Sequence, residues 1–155
     1  MRLQEWVEIA APRQEVWDFL ADAENHRLFM AGLTRWDVKK GSRLKKGSRI
    51  DMRMAVGSAQ LGSLIEIVEC DAPADMAWTS VTGIDQRGRW RLRERGPSST
   101  KVELRLSYQA PGGLLGWLTD RIARRGVEAN LRRSVEALKE QVEADAGPAR
   151  RRKAG

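Results

Sequence analysis

Six carboxylates fall within or at the ends of strand-like segments: Asp51, Glu66, Glu69, Asp71, Glu94 and Glu103. A carboxyl group that faces an apolar cavity has a raised pKa and can move protons. Glu94 stands out because strand alternation puts it on the face of Trp90 and Leu92, although its place at the strand end sets it in water. No partner recurs at a fixed spacing, so these carboxylates alone define no reaction. His26 is the one histidine and Cys70 the one cysteine. A zinc site or a histidine-based triad therefore lacks parts, and no metal or other cofactor is expected. His26 reads as a surface or capping residue, and Cys70, at a strand end beside Asp71, as a buried structural thiol. Glycine-rich phosphate loops and a Gly-x-Ser-x-Gly elbow are absent from the sequence.

The elements that must position these groups follow from hydrophobic period. Leu3 to Ile9 reads as a strand, ended by Ala10-Ala11-Pro12, because proline breaks a ladder and suits a helix start. Helices are expected over Arg13–Ala21, with Val16, Phe19 and Leu20 on one face, and over Ala23–Met30, stopping near Gly32. Six further strands follow: Thr34–Lys39, Ile50–Val56, Leu61–Cys70, Ala77–Thr82, Gln86–Arg95 and Lys101–Tyr108. After Pro111-Gly112-Gly113 the period changes to that of one long helix, about Leu114 to Glu143, with Gly126 admitting a bend or a close neighbour. Strands joined by short turns imply an antiparallel sheet. An apolar sheet face needs a cover, and the last helix alone is large enough, which makes the class α+β.

Alternation assigns the inward side chains. Met52, Met54, Ile65, Ile67 and Trp78 come from the middle strands, and Trp90, Leu92, Leu104, Leu106 and Tyr108 from the last two. Leu115, Leu118 and Ile122 face them from the helix. Tryptophan and methionine suit irregular apolar spaces, and the Tyr108 hydroxyl can orient a polar ligand group. On the opposite face, Arg87, Arg89, Arg91, Arg93 and Arg95 form a cationic row that can pair with Glu103 across the ladder. An RNA-binding surface there would need stacking aromatics, and Trp90 points the other way.

At 155 residues the chain reads as one domain, 1–145, followed by a basic disordered tail, 146–155. Its net charge of +7 is concentrated in that tail and in Lys39, Lys40, Arg43, Lys45, Lys46 and Arg49. Such a loop can touch an anionic membrane, though charge runs are commonly just solvated. No run of 18 apolar residues and no apolar leader occur, and a lone cysteine forms no internal disulfide, so a cytoplasmic protein, monomer or homodimer, is expected.

Ile9-Ala10-Ala11-Pro12, Glu15-Val16-Trp17, Leu20-Ala21-Asp22, Asn25 and Gly32, together with Leu131 to Lys139, resemble the START-related helix-grip superfamily, also called SRPBCC. This superfamily includes polyketide cyclases, pollen-allergen-like proteins and coenzyme-Q-binding chaperones. The resemblance covers about residues 3 to 145 and implies a seven-stranded antiparallel sheet wrapped around the last helix, with a cavity between them. It implies a carrier for a lipid, quinone or polyketide-like molecule, held by the inward side chains named above. A polyketide cyclase or aromatase is the alternative, and an RNA- or ribosome-associated factor the second. The segment Phe29-Met30-Ala31-Gly32 departs from many members, which are richer in aromatics there.

Overall fold

The computed structural model describes the backbone of residues 1–38, 43–109 and 114–154, and the side chains of 1–38, 43–109 and 124–145. Seven strands form one antiparallel sheet: β1 (Arg2–Ile9), β2 (Leu33–Val38), β3 (Arg49–Val56), β4 (Ala59–Asp71), β5 (Asp75–Gly83), β6 (Gln86–Gly96) and β7 (Ser99–Tyr108), in the order β1-β7-β6-β5-β4-β3-β2. Helices α1 (Arg13–Ala21) and α2 (His26–Phe29) lie between β1 and β2, and α3 (Leu114–Ala154) follows β7. Alternation over β3 and β7 produces these strands as expected, with Ile50, Met52 and Val56 and then Val102, Leu104 and Tyr108 buried. Register shifts in β4 at Ile67/Glu69 and Leu64/Ile65 add curl, as bulges do.

Helix α3 lies across the concave face. Val127, Leu131, Val135, Leu138 and Val142 recur every three or four residues and are all buried. Three small or polar residues on the same helix fix its seat. A Cβ on Gly126 would stand 2.7 Å from Val56 Cγ1, so glycine permits the helix to approach the β3–β4 turn. Asn130 Nδ2 donates to the Ala55 carbonyl (3.1 Å), and Ser134 Oγ accepts from the Ala31 amide (2.9 Å) while donating to Asn130 O (2.7 Å). Gly32, at φ +80°, completes the latch, since a side chain there would strike Asn130 and Ala55.

Three expectations need correction. The second helix is not one element over Ala23–Met30. The Asp22 carboxylate caps Glu24 N (3.1 Å), and a 3-10 turn over Ala23–Asn25 precedes the four-residue α2. Helix α3 does not end near Glu143: its backbone stays helical through Ala154, across Gly147 and Pro148. The third concerns His26, which is buried, not on the surface.

Candidate functional site

The concave face and α3 do not close on each other everywhere. A cavity of about 80 Å³ remains, bounded by the inner faces of β2 to β7, by α2 and by the middle of α3. On such a measure one water needs roughly 10–15 Å³, so there is room for a small ring without wall movement. Its walls are indoles and thioethers: Trp36, Trp78 and Trp90 with Met30, Met52, Met54 and Met76. Thioether side chains are flexible and adapt to different guests.

Of the inward set read from the sequence, Met52, Met54, Ile65, Ile67, Trp78, Trp90, Leu104, Leu106 and Tyr108 border this space. Leu92 does not, although it is fully buried. It sits at the end of β6 that α1 covers, where side chains fill the interior. Leu115, Leu118 and Ile122 lie outside the residues whose side chains are described. Alternation did not single out Trp36, Leu44, Ser63, Gln86 or His26, which also border the cavity. Leu44 comes from the basic loop, drawn in by its amide donating to Ala21 O (2.7 Å). The period-2 and 3.6 signals cannot find residues whose inward placement is set by loops and short turns.

Two wall residues depend on local backbone. Trp78 lies across Gly88, its partner on the neighbouring strand; a Cβ there would fall 1.8 Å from Trp78 Cζ2. Gln86 Nε2 donates to Ser63 Oγ (3.0 Å), which donates to Ile84 O (3.0 Å), and Trp78 Nε1 donates to Gln86 Oε1 (3.4 Å). This small network is one polar station in an otherwise apolar wall. The Tyr108 hydroxyl is 3.2 Å from Met1 Sδ.

His26 is the second station. Its ring stacks on Trp36, centroids 4.7 Å apart and planes 9° from parallel, and tilts against Phe29 at 4.9 Å. Nε2 donates to the Leu20 carbonyl (2.9 Å), which can only accept, so the hydrogen is on Nε2 and Nδ1 keeps its lone pair. Burial lowers the pKa to about 4, against the opposing pull of the Leu20 hydrogen bond and Asp22, so the imidazole is neutral near pH 7. No carboxylate, cysteine, lysine or arginine borders the cavity among the described residues. Glu94 is exposed and near Arg13 (3.9 Å), and Cys70, half-buried with its thiol pKa raised by burial, points to Leu44 O (3.8 Å).

The convex face is a different surface. Asp75 gathers Arg89 (3.5 Å), Arg91 (3.9 Å) and Arg93 (3.2 Å), Arg89 also pairs with Glu69, and Arg91 meets Glu103 across the ladder at 3.6 Å, as expected. One aromatic was missed there: Trp6, opposite Glu103 and 58% exposed, stands on this face with Lys101 Nζ 5.0 Å above its ring. In the basic loop, Arg43 pairs with Asp18 (3.2 Å) and Arg49 with Glu66 (2.9 Å), whereas Lys39 and Lys40 lie outside the described residues. No helix among the described residues is long and apolar enough to cross a membrane.

Residues 1–143 match the family model described as polyketide cyclase / dehydrase and lipid transport. Among curated proteins, the Mycobacterium tuberculosis protein MT0096 is 28% identical over 122 residues, 73% of this chain and 50% of the relative. The chain thus spans about half the length of the curated relatives it matches. Three solved structures share the fold. TTHA0849 from Thermus thermophilus has a TM-score of 0.82 at 20% identity, covering 94% of this chain and 99% of that one. A START superfamily protein from Mycobacterium smegmatis has 0.72 at 16%, covering 92% and 97%. The Zhui aromatase/cyclase from Streptomyces sp. R1128 has 0.74 at 18%, covering 92% and 93%.

Proposed function

Because the chain belongs to the polyketide cyclase / dehydrase and lipid transport family, with the START-type helix-grip fold, we propose that it is a binding or carrier protein for a small hydrophobic ligand. The observation that carries this reading is the cavity of about 80 Å³ between sheet and helix, walled by three indoles and four thioethers. The driving force is transfer of ligand surface out of water, about 25 cal/mol per Å² before the costs of association are subtracted. Methionines such as Met52 and Met54 let the space widen around a guest larger than the resting void. Native mass spectrometry after gentle extraction, followed by uptake trials with a fatty acid, a quinone and an aromatic polyketide analogue, tests it. A bound mass that is lost when Leu106→Trp fills the space is expected. A bare protein that takes up none of the three contradicts the reading.

The relative named as an aromatase/cyclase favours a second reading, in which the cavity folds a reactive chain and a few polar groups steer it. Among the described residues the titratable groups bordering the space are His26 and Tyr108, and a neutral imidazole with a pKa of about 4 is a weak base. That chemistry favours holding over turnover. Lys45 and Lys46 in the basic loop would bring a carrier to anionic lipid, where apolar cargo resides. Co-sedimentation with phosphatidylserine-containing but not pure phosphatidylcholine vesicles, weakening with salt, is the expected result; equal binding to both contradicts it.

A further inference from the structure

His26 borders the cavity, and among the described residues one of its two ring nitrogens is not used by the fold. His26 is 3% exposed, and its Nε2–H is committed to Leu20 O. No described residue donates to Nδ1. Nor is Nδ1 sealed away: among the described side chains only Arg13 Nε and Glu103 Oε1 are both shut off from space and without a hydrogen bond. The ring borders the cavity and is locked flat against Trp36. An acceptor that opens on space and has no fixed donor in the fold is free to take one from a ligand.

We infer that His26 Nδ1 is the hydrogen-bond acceptor for a hydroxyl group on the ligand, and that it selects flat apolar alcohols or phenols over carboxylic acids of the same shape. This rests on the carrier reading above and adds the chemistry of its cargo. A hydroxyl donates to Nδ1 without bringing a charge indoors. A carboxylate offers only lone pairs, facing the lone pair of Nδ1, and no lysine or arginine borders the cavity among the described residues to neutralise it. The stacked His26–Trp36 pair supplies a planar wall against which an aromatic ring can lie edge or face. His26 acts here as a specificity-determining residue.

Four probes of one shape separate the terms: naphthalene, 2-methoxynaphthalene, 2-naphthol and 2-naphthoate, titrated at pH 7.5 and followed by tryptophan fluorescence and calorimetry. Wild type is expected to bind 2-naphthol roughly five- to tenfold tighter than 2-methoxynaphthalene, and 2-naphthoate most weakly. In His26→Phe, which keeps an aromatic ring at this position, the ratio of 2-naphthol to 2-methoxynaphthalene affinity falls to near unity. A measurement on unaltered protein guards against a misfolded variant: the ¹⁵N resonance of His26 Nδ1 should move upfield on adding 2-naphthol and stay still with 2-methoxynaphthalene. Equal binding of naphthol and its ether by wild type, a preference that survives in His26→Phe, or an unmoved Nδ1 resonance each overturns the inference and leaves the carrier reading standing. Failure of wild type to bind any of the four overturns both.

Discussion

The two ends of the concave face are built from different alphabets. Beneath α1 the interior is filled by Ile9, Val16, Leu20, Leu92 and Val102, each fully buried. Toward α2 and the middle of α3 the same sheet presents Met52, Met54, Met76, Trp36, Trp78 and Trp90, and there a void remains. Branched aliphatics have few rotamers and interlock at crystal-like density. Long thioethers and broad indoles leave irregular gaps that can change shape. The first end holds the fold and the second holds a guest, and substitutions should tell them apart.

The largest effect is expected at the filled end. Leu92→Ala should lower unfolding free energy by about 2–5 kcal/mol in urea titration, because its neighbours cannot collapse into the gap. Met54→Ala, at the hollow end where the side chain is only partly buried, should cost under about 1.5 kcal/mol while changing ligand affinity. Equal losses at both ends would erase the distinction.

Next comes a pH effect at the junction of the two ends, where His26 packs against Phe29 and Trp36. Its folded pKa of about 4 lies below the unfolded value of 6.5. Between those values the unfolded chain binds more protons, so stability is full above pH 6.5 and falls as pH drops toward 4. At about 1.4 kcal/mol per pH unit, the loss approaches 3 kcal/mol by pH 4. The comparison is made against His26→Phe, whose profile should be flatter between pH 6.5 and 5. Identical profiles would mean that His26 does not carry this dependence.

How much of this contrast was legible beforehand follows from what periodicity can report. Val102, Leu104, Leu106 and Tyr108 were readable because β7 alternates cleanly, and so was the α3 stripe from Leu131 to Val142. Alternation tells which face a residue occupies but not whether that face is filled, so Leu92 was grouped with Trp90, although one is packed and the other borders the void. His26 was misplaced because a lone histidine in a four-residue helix has no periodic signal; its burial comes from Trp36 and the Leu20 carbonyl. Leu44 was hidden inside a basic run. Trp6 was missed on the outer face because its neighbours in sequence gave no sign that it would stand beside Glu103.

Two smaller effects sharpen the contrast. Gly88→Ala should displace the Trp78 indole, shift the tryptophan emission and weaken ligand uptake, since the added methyl occupies the ring's place; an unchanged spectrum and affinity would show that the ring can lie elsewhere. Smallest of all, Arg49→Ala breaks an exposed ion pair with Glu66 and should change stability by less than about 1 kcal/mol, with an effect that vanishes in high salt. A larger, salt-independent loss would mean that the surface contributes more than an exposed pair can.

The central claim, that the hollow end admits an apolar guest, is tested most directly by labelling the methionine methyl groups with ¹³C and adding naphthalene. Intermolecular nuclear Overhauser contacts from naphthalene to the methyls of Met52, Met54 and Met76, with none to Val16 or Leu92 in a companion methyl-labelled sample, are predicted. Saturating naphthalene that touches none of the three methionine methyls, or that contacts only the exposed ring of Trp6, would contradict the account.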